Sequence, residues 1–453
     1  MIGRFAAAAA LMLACAAAQA APHEKILANG LRVIVQEDHR APTVVHMVWY
    51  RAGSMDEKGG TSGVAHVLEH MMFKGTRRHG PGEFSKRVAE AGGRDNAFTS
   101  YDYTAYFQQV PARRLGEMMA LEADRMSGLL LDSREFAQEI RVVMEERRLR
   151  TEDNPRALVH EKGMATAFQA HPYRRPVIGW MDDLEHMTAA DARDWYRGWY
   201  APNNAWLVIV GDVDKEEAFR LAEKHYGRIP RRALPERKPQ REPEQVGIKR
   251  IVVKAPARLP YLTMAWKAPA LRDARKEREP YALEVLAGVL DGHDGARFQR
   301  NLVRGARIAV SASAGYDGAV RGEALFSVSA TPAEGRSVAE LEAALRAEIA
   351  RVASEGVEEA ELERVKTQTI AAQIYKRDSM MAQAMEIGRL EVAGIGWRDI
   401  DVLIEGIRSV TAAEVRAAAQ KYFDDARLTV AVLDPQPVKD GDAARQPAPA
   451  SRH

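Results

Sequence analysis

The sequence predicts an α+β protein in which two similar mixed α/β units are joined by an exposed linker. A helix followed by an apolar strand occurs twice, at residues 188–212 and again at 411–434. Each of these helices opens with a threonine and an acidic residue three positions later, which is a helix-capping pattern. The copies lie 223 residues apart, so two units of roughly 200 residues explain the length better than one core does.

The composition between and beyond the repeats gives the domain boundaries. Residues 230–247 are rich in proline, arginine and glutamate, which is typical of an exposed linker. We therefore predict a first unit at 21–229 and a second unit at 248–434. Residues 435–453 are rich in proline, alanine and charge, and we expect them to form a disordered tail.

Residues 1–20 have the features of a signal peptide. Arg4 precedes an apolar run that ends in the small-x-small cleavage site Ala18-Gln19-Ala20, and the run is too short to span a membrane. The only cysteine, Cys15, follows a poor lipoprotein signal, so lipidation is not expected. Cleavage after Ala20 leaves no cysteine, which suits an oxidising compartment. The sequence thus predicts a periplasmic or secreted protein.

The charge of the chain excludes some classes of partner. There are 65 basic and 63 acidic residues, which gives a net charge of +2. No sustained basic patch with aromatic residues is present, so nucleic-acid binding has no support. No stretch after the signal peptide is long and apolar enough to cross a membrane.

The central motif of the first unit is His-x-x-Glu-His, within residues 63–73. No glycine or proline follows Gly63 in this stretch, and its apolar residues suit a buried helix. Residues three and four apart share a helix face, so His66, Glu69 and His70 point the same way. Two imidazoles at this spacing can bind one Zn²⁺ through nitrogens about 2.0–2.1 Å from the metal. A neighbouring carboxylate can take a proton from metal-bound water.

Short motifs also arise by chance, especially in a chain with twelve histidines. The alternative interpretation is a helix with two core histidines and a glutamate whose hydrogen bonds are satisfied. A catalytic zinc normally has three protein ligands plus water. The motif therefore needs a third ligand from elsewhere in the chain.

Residues 139–148 are a second predicted helix that can supply this ligand. Glu139 and Glu146 are seven residues apart, so they lie two turns apart on one face. Two carboxylates in one line suit a metal site. The alternative is a solvated helix with Arg–Glu pairs, and for the adjacent Glu145 that alternative is the better explanation.

Together these motifs resemble the pitrilysin family of zinc peptidases, which includes the insulin-degrading and mitochondrial processing peptidases. In that family a distant glutamate follows His-x-x-Glu-His, and Glu146 matches it in spacing. A second acidic residue seven positions earlier matches Glu139, which would support the site. The resemblance implies one Zn²⁺ per chain, bound by His66, His70 and Glu146, with Glu69 as the general base.

A third segment extends the resemblance. Residues 92–107 alternate and are rich in aromatic residues, as expected of a strand. They are similar to the Gly-Gly-x-x-Asn-Ala-x-Thr segment of the family, in which this edge strand pairs with the substrate backbone. The resemblance thus implies that Asn96 and Ala97 bind peptide by strand addition. The alternative is an ordinary edge strand.

The second unit departs from the family pattern. The repeat offset places Val289 and His293 at the positions of the two metal-binding histidines, so the motif is absent there. Single-chain relatives also carry an arginine and a tyrosine seven residues apart that hold the substrate carbonyl. Those positions correspond here to Val303 and Val310, neither of which can donate a hydrogen bond from its side chain.

Three nearby residues could compensate for the missing pair. Arg304 or Arg307 could replace the arginine, but the next tyrosine is Tyr316. In two-subunit members of the family, one chain carries zinc and the other carries the Arg/Tyr pair. The resemblance therefore implies that this chain is the zinc-bearing member of a heterodimer, completed by a homologous Arg/Tyr-bearing subunit.

We thus expect a processing-peptidase-like metallohydrolase fold and a zinc-dependent endopeptidase subunit that cleaves peptides or small unfolded polypeptides. The main alternative is a non-catalytic, zinc-stabilised scaffold or assembly subunit of the same family. A second alternative is a zinc hydrolase that acts on something other than peptides. The presence of Glu69 argues against the scaffold, because a purely structural zinc site needs no general base.

Overall fold

The computed structural model describes residues 21–438, which form two β-sheets covered by helices. The predicted signal peptide at 1–20 lies outside the described residues, as does the part of the predicted tail from 439 onward. Within the described part of the chain, no helix combines the length and apolar character needed to cross a bilayer.

The first sheet has six strands in the order β1-β2-β6-β3-β5-β4. Its strands are β1 (His23–Ile26), β2 (Arg32–Glu37), β3 (Thr43–Tyr50), β4 (Arg94–Thr99), β5 (Thr104–Pro111) and β6 (Ala205–Gly211). The central strand β6 is buried at every position. It is apolar throughout, as expected of a strand covered on both faces.

The second sheet has five strands in the order β7-β11-β8-β10-β9. Its strands are β7 (Lys249–Pro256), β8 (Tyr261–Ala268), β9 (Ala309–Tyr316), β10 (Ala324–Pro332) and β11 (Leu428–Gln436). Apart from β1, both sheets have the same topology. β2 is parallel to β6 just as β7 is parallel to β11, and the other neighbours are antiparallel. The predicted α+β class with two similar mixed units is confirmed.

Helices surround both sheets. Those before the linker are α1 (Val64–Met71), α2 (Glu83–Glu90), α3 (Leu115–Gly128), α4 (Ser133–Arg147), α5 (Pro155–Ala167), α6 (Met181–His186), α7 (Ala189–Trp199) and α8 (Lys215–Tyr226). Those after it are α9 (Glu279–Asp291), α10 (Val338–Glu355), α11 (Glu359–Lys376), α12 (Met380–Ala393), α13 (Ile400–Arg408) and α14 (Ala412–Tyr422). The two repeated helices, α7 and α14, both begin with the predicted capping box.

Each half of the chain contributes one helix to the sheet of the other half. Helix α12 covers the first sheet, where Ile387 and Ala384 share a cluster with Trp49. The fit is close, because a Cβ added at Gly388 would lie 2.0 Å from the Trp49 ring. In return, α5 covers the second sheet, where its buried Val159 packs with residues of β7 and β11. The two halves are therefore packed together through two hydrophobic clusters that contain residues of both.

The linker is mostly exposed and contains neither helix nor strand, but the side chain of Glu242 is 1% exposed. The Glu242 carboxylate accepts backbone hydrogen bonds of 2.8–2.9 Å from residues 169–171. It also pairs with Lys267 of β8 at 2.8 Å. Glu242 thus fastens the linker to both halves.

Two segments differ from the sequence-based expectation. Residues 92–107, interpreted as one strand, contain β4, a turn at 100–103 and the start of β5. Strand β11 extends to Gln436 and so includes the first two residues of the predicted tail, because Gln436 still pairs with Pro256 of β7. Alternating residues can continue through a tight turn, so the pattern alone did not show the hairpin.

We expect Glu242→Gln to lower the free energy of unfolding by about 1–3 kcal/mol at neutral pH, because a charge-assisted buried network is lost. Burial opposes ionisation of Glu242, yet the N–H groups of 169–171 and Lys267 lower its pKa to about 2. Its folded pKa lies below the unfolded value of 4.5. Its stabilisation is therefore present above that value and lost as the pH falls toward about 2.

Denaturant unfolding of the wild type and the variant across acid pH measures this contribution. The matched control is Glu236→Gln, an exposed glutamate in the same segment, which should leave stability unchanged. Equal effects of the two substitutions would contradict the role assigned to Glu242.

Candidate metal centre

Helix α1 carries the His-x-x-Glu-His motif. One side of it is buried in the first core through Val64, Ala65, Val67, Leu68 and Met71. Its three motif side chains, His66, Glu69 and His70, are only partly buried and line a cavity. The apolar stripe thus fixes the helix and directs the motif away from the core.

The N-terminus of α1 is capped by a distant glutamate. Glu57 is 3% exposed, and its two carboxylate oxygens accept the N–H groups of Gly63 at 2.9 Å and Ala65 at 3.0 Å. These are two of the N–H groups that a helix start leaves without partners. Burial nevertheless raises the pKa of Glu57 to about 8.

The start of α1 also contacts the loop before α6. Gly63 has φ of 89°, and a Cβ there would lie 2.6 Å from the carbonyl oxygen of Ile178. Gly179 has φ of 87°, and a Cβ there would lie 2.4 Å from the carbonyl oxygen of Ser62. Two glycines are thus required where the backbones meet.

Helix α4 brings Glu146 to the histidines. The Glu146 Oε2 atom lies 3.3 Å from His70 Nε2 and 3.8 Å from His66 Nε2. One ligand atom from each of the three residues lies within 4.8 Å of the others. Two ligands about 2.1 Å from a tetrahedral metal are about 3.4 Å apart, so this donor set fits one Zn²⁺.

The neighbouring acidic residues have different positions. Glu139 is 7% exposed, and its Oε1 lies 3.2 Å from His70 Nδ1 while its Oε2 lies 2.5 Å from Lys74. A carboxylate on the second nitrogen of a metal-binding histidine fixes the ring orientation. Glu145 instead pairs with Arg148 on the exposed side of the helix. The structure therefore brings Glu146, and not Glu145, to the cluster.

Buried arginine contacts hold α4 in place. Arg147 is 4% exposed and donates to both carboxylate oxygens of Glu161 on α5, at 2.8 and 3.1 Å. It also donates to the carbonyl oxygen of Gly179 at 2.8 Å. Arg147, the residue next to Glu146, thus connects α4 with α5. It also connects α4 with the loop before α6, which contacts the start of α1.

The pKa values of the two histidines in the cluster are shifted in opposite directions. Burial and the neighbouring His70 lower the pKa of His66 to about 4, which favours the neutral ring that metal binding needs. Burial also acts against protonation of His70, but hydrogen bonds to Glu146 and Glu139 raise its pKa overall. The hydrogen bond to His70 lowers the pKa of Glu146 despite its burial.

Glu69 lies beside the cluster without belonging to it. Its Oε2 accepts a hydrogen bond of 2.5 Å from Thr99 Oγ1 at the end of β4. Burial raises the pKa of Glu69 even though this hydrogen bond and His70 oppose the rise. A carboxylate with a raised pKa is suited to accept and return a proton near neutral pH.

The cluster opens into a cavity of about 700 Å³. Its lining residues all come from the first half of the chain, between His66 and Ile178. Asn96 and Ala97 line it, because β4 is the edge strand of the first sheet. The Ala97 N–H donates to the Asn96 side-chain oxygen at 2.9 Å. The Asn96 side chain thus occupies this backbone donor on the edge strand.

The second half contributes no side chain to this cavity. Arg304, Arg307 and Tyr316 are not among its lining residues. Arg304 and Tyr316 donate to the carbonyl oxygens of Asp294 and Pro269 instead. Within residues 21–438, His66, His70 and Glu146 form the one group of three metal-binding side chains this close together.

Sequence reasoning missed Glu57, Thr99, Arg147 and Glu161. Glu57 lies seven residues before Val64, the first residue of the helix that it caps, outside the usual capping positions. The Arg147–Glu161 and Thr99–Glu69 contacts join separate elements. Only Arg147 had a local signal, its place beside the predicted ligand.

We expect Glu57→Gln to weaken zinc binding by about tenfold, because residues that orient metal ligands typically contribute 10–100-fold to metal affinity. The amide puts an NH2 donor where one of the two carboxylate oxygens now accepts, so one N–H group at the start of α1 loses its partner. The matched control is Glu37→Gln, since Glu37 accepts the Lys215 N–H at the start of α8. Zinc titration against a chromogenic chelator, with melting curves of both variants, measures the difference. Equal zinc affinities in the two variants would contradict the role of Glu57.

Comparison with known proteins agrees with this arrangement. Residues 32–180 match the family model for insulinase (peptidase family M16), and residues 186–369 match the model for the peptidase M16 inactive domain. The zinc protease PqqE of Helicobacter pylori is 31% identical over 422 residues, covering 91% of this chain and 93% of that protein.

Solved structures are similar over nearly the whole chain. The crystal structure of a protease from Helicobacter pylori has a TM-score of 0.86 at 29% identity, covering 91% of this chain and 99% of that one. The periplasmic protease PqqL from Escherichia coli has a TM-score of 0.78 at 19% identity, and this chain covers 49% of it. The likeness to PqqL shows the fold alone. Matches to both family models, together with a relative 31% identical across most of its length, establish that the chain belongs to peptidase family M16.

Proposed function

We propose that this chain is the zinc-bearing subunit of an endopeptidase that cleaves peptides or small unfolded polypeptides. The main support for this proposal is the group formed by His66, His70 and Glu146, with Glu69 beside it in one cavity. Bound there, Zn²⁺ would polarise a scissile carbonyl and lower the pKa of a water molecule. His66, His70 and Glu146 would hold the ion, and Glu139 would orient His70.

Glu69 would act as the general base. Thr99 occupies one of its oxygens, which fixes the carboxylate and leaves the other oxygen to take a proton. The raised pKa of Glu69 lets it return that proton to the leaving amine. This role also distinguishes a peptidase from the scaffold alternative, in which the glutamate would have no chemistry to perform.

The substrate would lie along β4 as an added strand. The edge of β4 forms a wall of the cavity, and Asn96 and Ala97 lie on it. A peptide carbonyl could replace the Asn96 side chain on the Ala97 N–H. Recognition through main-chain groups gives broad sequence tolerance and requires an extended, unfolded substrate.

A partner chain would complete the site. The cavity lacks any lining residue from the second half, and Val310 on the edge strand β9 is 56% exposed. Within four residues of Glu146 in the sequence, Val142 and Leu149 are 49% and 55% exposed, and a partner surface would cover them. A homologous subunit with the Arg/Tyr pair would supply hydrogen-bond donors to the developing oxyanion. Each such donor typically raises the rate by two to three orders of magnitude, or about 2.7–4 kcal/mol.

The predicted signal peptide supports export, with cleavage near Ala20. The protease PqqL, which has a similar fold, is described as periplasmic. We propose the same compartment, or secretion, for this chain. The absence of any cysteine after Cys15 fits folding there without a structural disulfide.

We expect Glu146→Gln to reduce bound zinc from about one per chain to a small fraction, because a neutral amide replaces a charged ligand. Glu145→Gln should leave zinc binding unchanged, because Glu145 faces solvent beside Arg148. Metal analysis of both purified variants tests the assignment. Loss of zinc in Glu145→Gln alone would overturn it.

We expect Glu69→Gln to keep zinc and to lower peptide cleavage by about 10²–10⁴-fold, the usual range for removing a general acid–base. Cleavage of a mixed peptide library, measured with the partner present, provides the readout. Glu90→Gln on the exposed side of α2 is the control. Unchanged cleavage in Glu69→Gln would exclude this mechanism and favour a scaffold.

We expect the purified chain to bind zinc alone but to cleave the same library about 100-fold or more faster with a homologous Arg/Tyr-bearing chain, because oxyanion donors are added. Arg/Tyr-bearing chains encoded nearby are the first to test. Full activity of the single chain would contradict the requirement for a partner.

A further inference from the structure

A second cavity lies in the other half of the chain, away from the metal cluster. It has a volume of about 310 Å³ and lies among α9, α11, α12, α13 and the turn after β9. This volume is at the lower end of the range of small-molecule pockets, about 300–1,000 Å³. Its apolar wall includes Leu390, Ile404 and Ile407, which are 2–9% exposed.

The charged residues around this cavity are paired, with one exception. Asp317 pairs with Arg389 at 2.8 Å, and Glu386 lies 3.7 Å from Lys376. Glu284 on α9 also lines the cavity and is partly buried. Within residues 21–438, no group donates a hydrogen bond to its carboxylate or lies within ion-pair distance of it. The cavity therefore holds one unpaired carboxylate among two neutralised pairs.

Keeping the Glu284 carboxylate charged in this cavity without a partner costs free energy. Burial raises the pKa of Glu284, and Asp317 raises it further, while Lys376 and Arg389 act against the rise. A partly desolvated carboxylate that lacks a hydrogen-bond donor favours any cation that can reach it. The nearest cations are already engaged, Arg389 with Asp317 and Lys376 with Gln373 and Glu386.

A tyrosine ring makes the cavity suitable for an organic cation. Tyr281 and Tyr316 both line it. Their hydroxyl groups donate to the carbonyl oxygens of Ala274 and Pro269, so neither hydroxyl donates to Glu284. Tyr281 is 2% exposed, so the more accessible ring is that of Tyr316. Aromatic rings attract ammonium groups through their negative faces. A carboxylate, a tyrosine ring and an apolar wall together match an ammonium group on an apolar body.

We propose that this cavity binds a small organic ammonium compound, with its charged group on Glu284 and its apolar part against Leu390, Ile404 and Ile407. A small anion is disfavoured because no unpaired cation faces the interior. A neutral ligand of the same shape would leave Glu284 without a partner. The proposal does not depend on the peptidase function, since none of these residues lines the metal cavity.

The probe is phenethylamine, compared with phenethyl alcohol and 3-phenylpropionate as neutral and anionic analogues. In calorimetric titrations of the zinc-loaded chain, phenethylamine should bind saturably and about tenfold or more tightly than either analogue. Glu284→Gln should weaken its binding by about tenfold or more, since the amide keeps the shape but not the charge. Glu405→Gln, an exposed residue on the outer side of α13 that pairs with Arg408, should change nothing.

Three results would overturn the proposal. They are no saturable binding of phenethylamine, equal binding of the alcohol, and unchanged amine binding in Glu284→Gln. Melting curves and zinc content establish that the variant is folded. If it does not fold, the preference of the wild-type chain among the three probes decides the matter alone.

Discussion

The buried ion pair between Arg147 and Glu161 fixes the geometry of the metal centre. It connects α4 to α5, and the bond from Arg147 to the Gly179 carbonyl connects both to the loop before α6, which contacts the start of α1. Removing one partner of such a pair typically costs about 3–5 kcal/mol, because a buried charge is left alone. The two helices that supply the candidate ligands are thus held by one residue adjacent to Glu146.

The exchange of helices between the halves extends this constraint across the molecule. Helix α5 carries Glu161 on one side and packs Val159 against the second sheet. Helix α12 packs against Trp49 in the first sheet. The second half, which has no metal motif, therefore contacts two elements next to the metal centre, α5 and the first sheet.

Local patterns in the sequence predicted much of this arrangement. The spacing of His66, Glu69 and His70 predicted a shared helix face, and the seven-residue spacing of Glu139 and Glu146 predicted their common line. The repeated capped helix and strand predicted two similar mixed α/β units. Glu57 and the exchange of α5 and α12 could not be predicted, because a contact between distant segments leaves no periodic signal in either of them.

The central claim is that this chain binds one zinc ion through two imidazoles and one carboxylate. Diffraction data collected on both sides of the zinc absorption edge, from crystals of the zinc-loaded chain, test it most directly. We expect one anomalous peak per chain, bonded to Nε2 of His66 and His70 and to a carboxylate oxygen of Glu146. A peak on other residues, or none at this cluster, would contradict it.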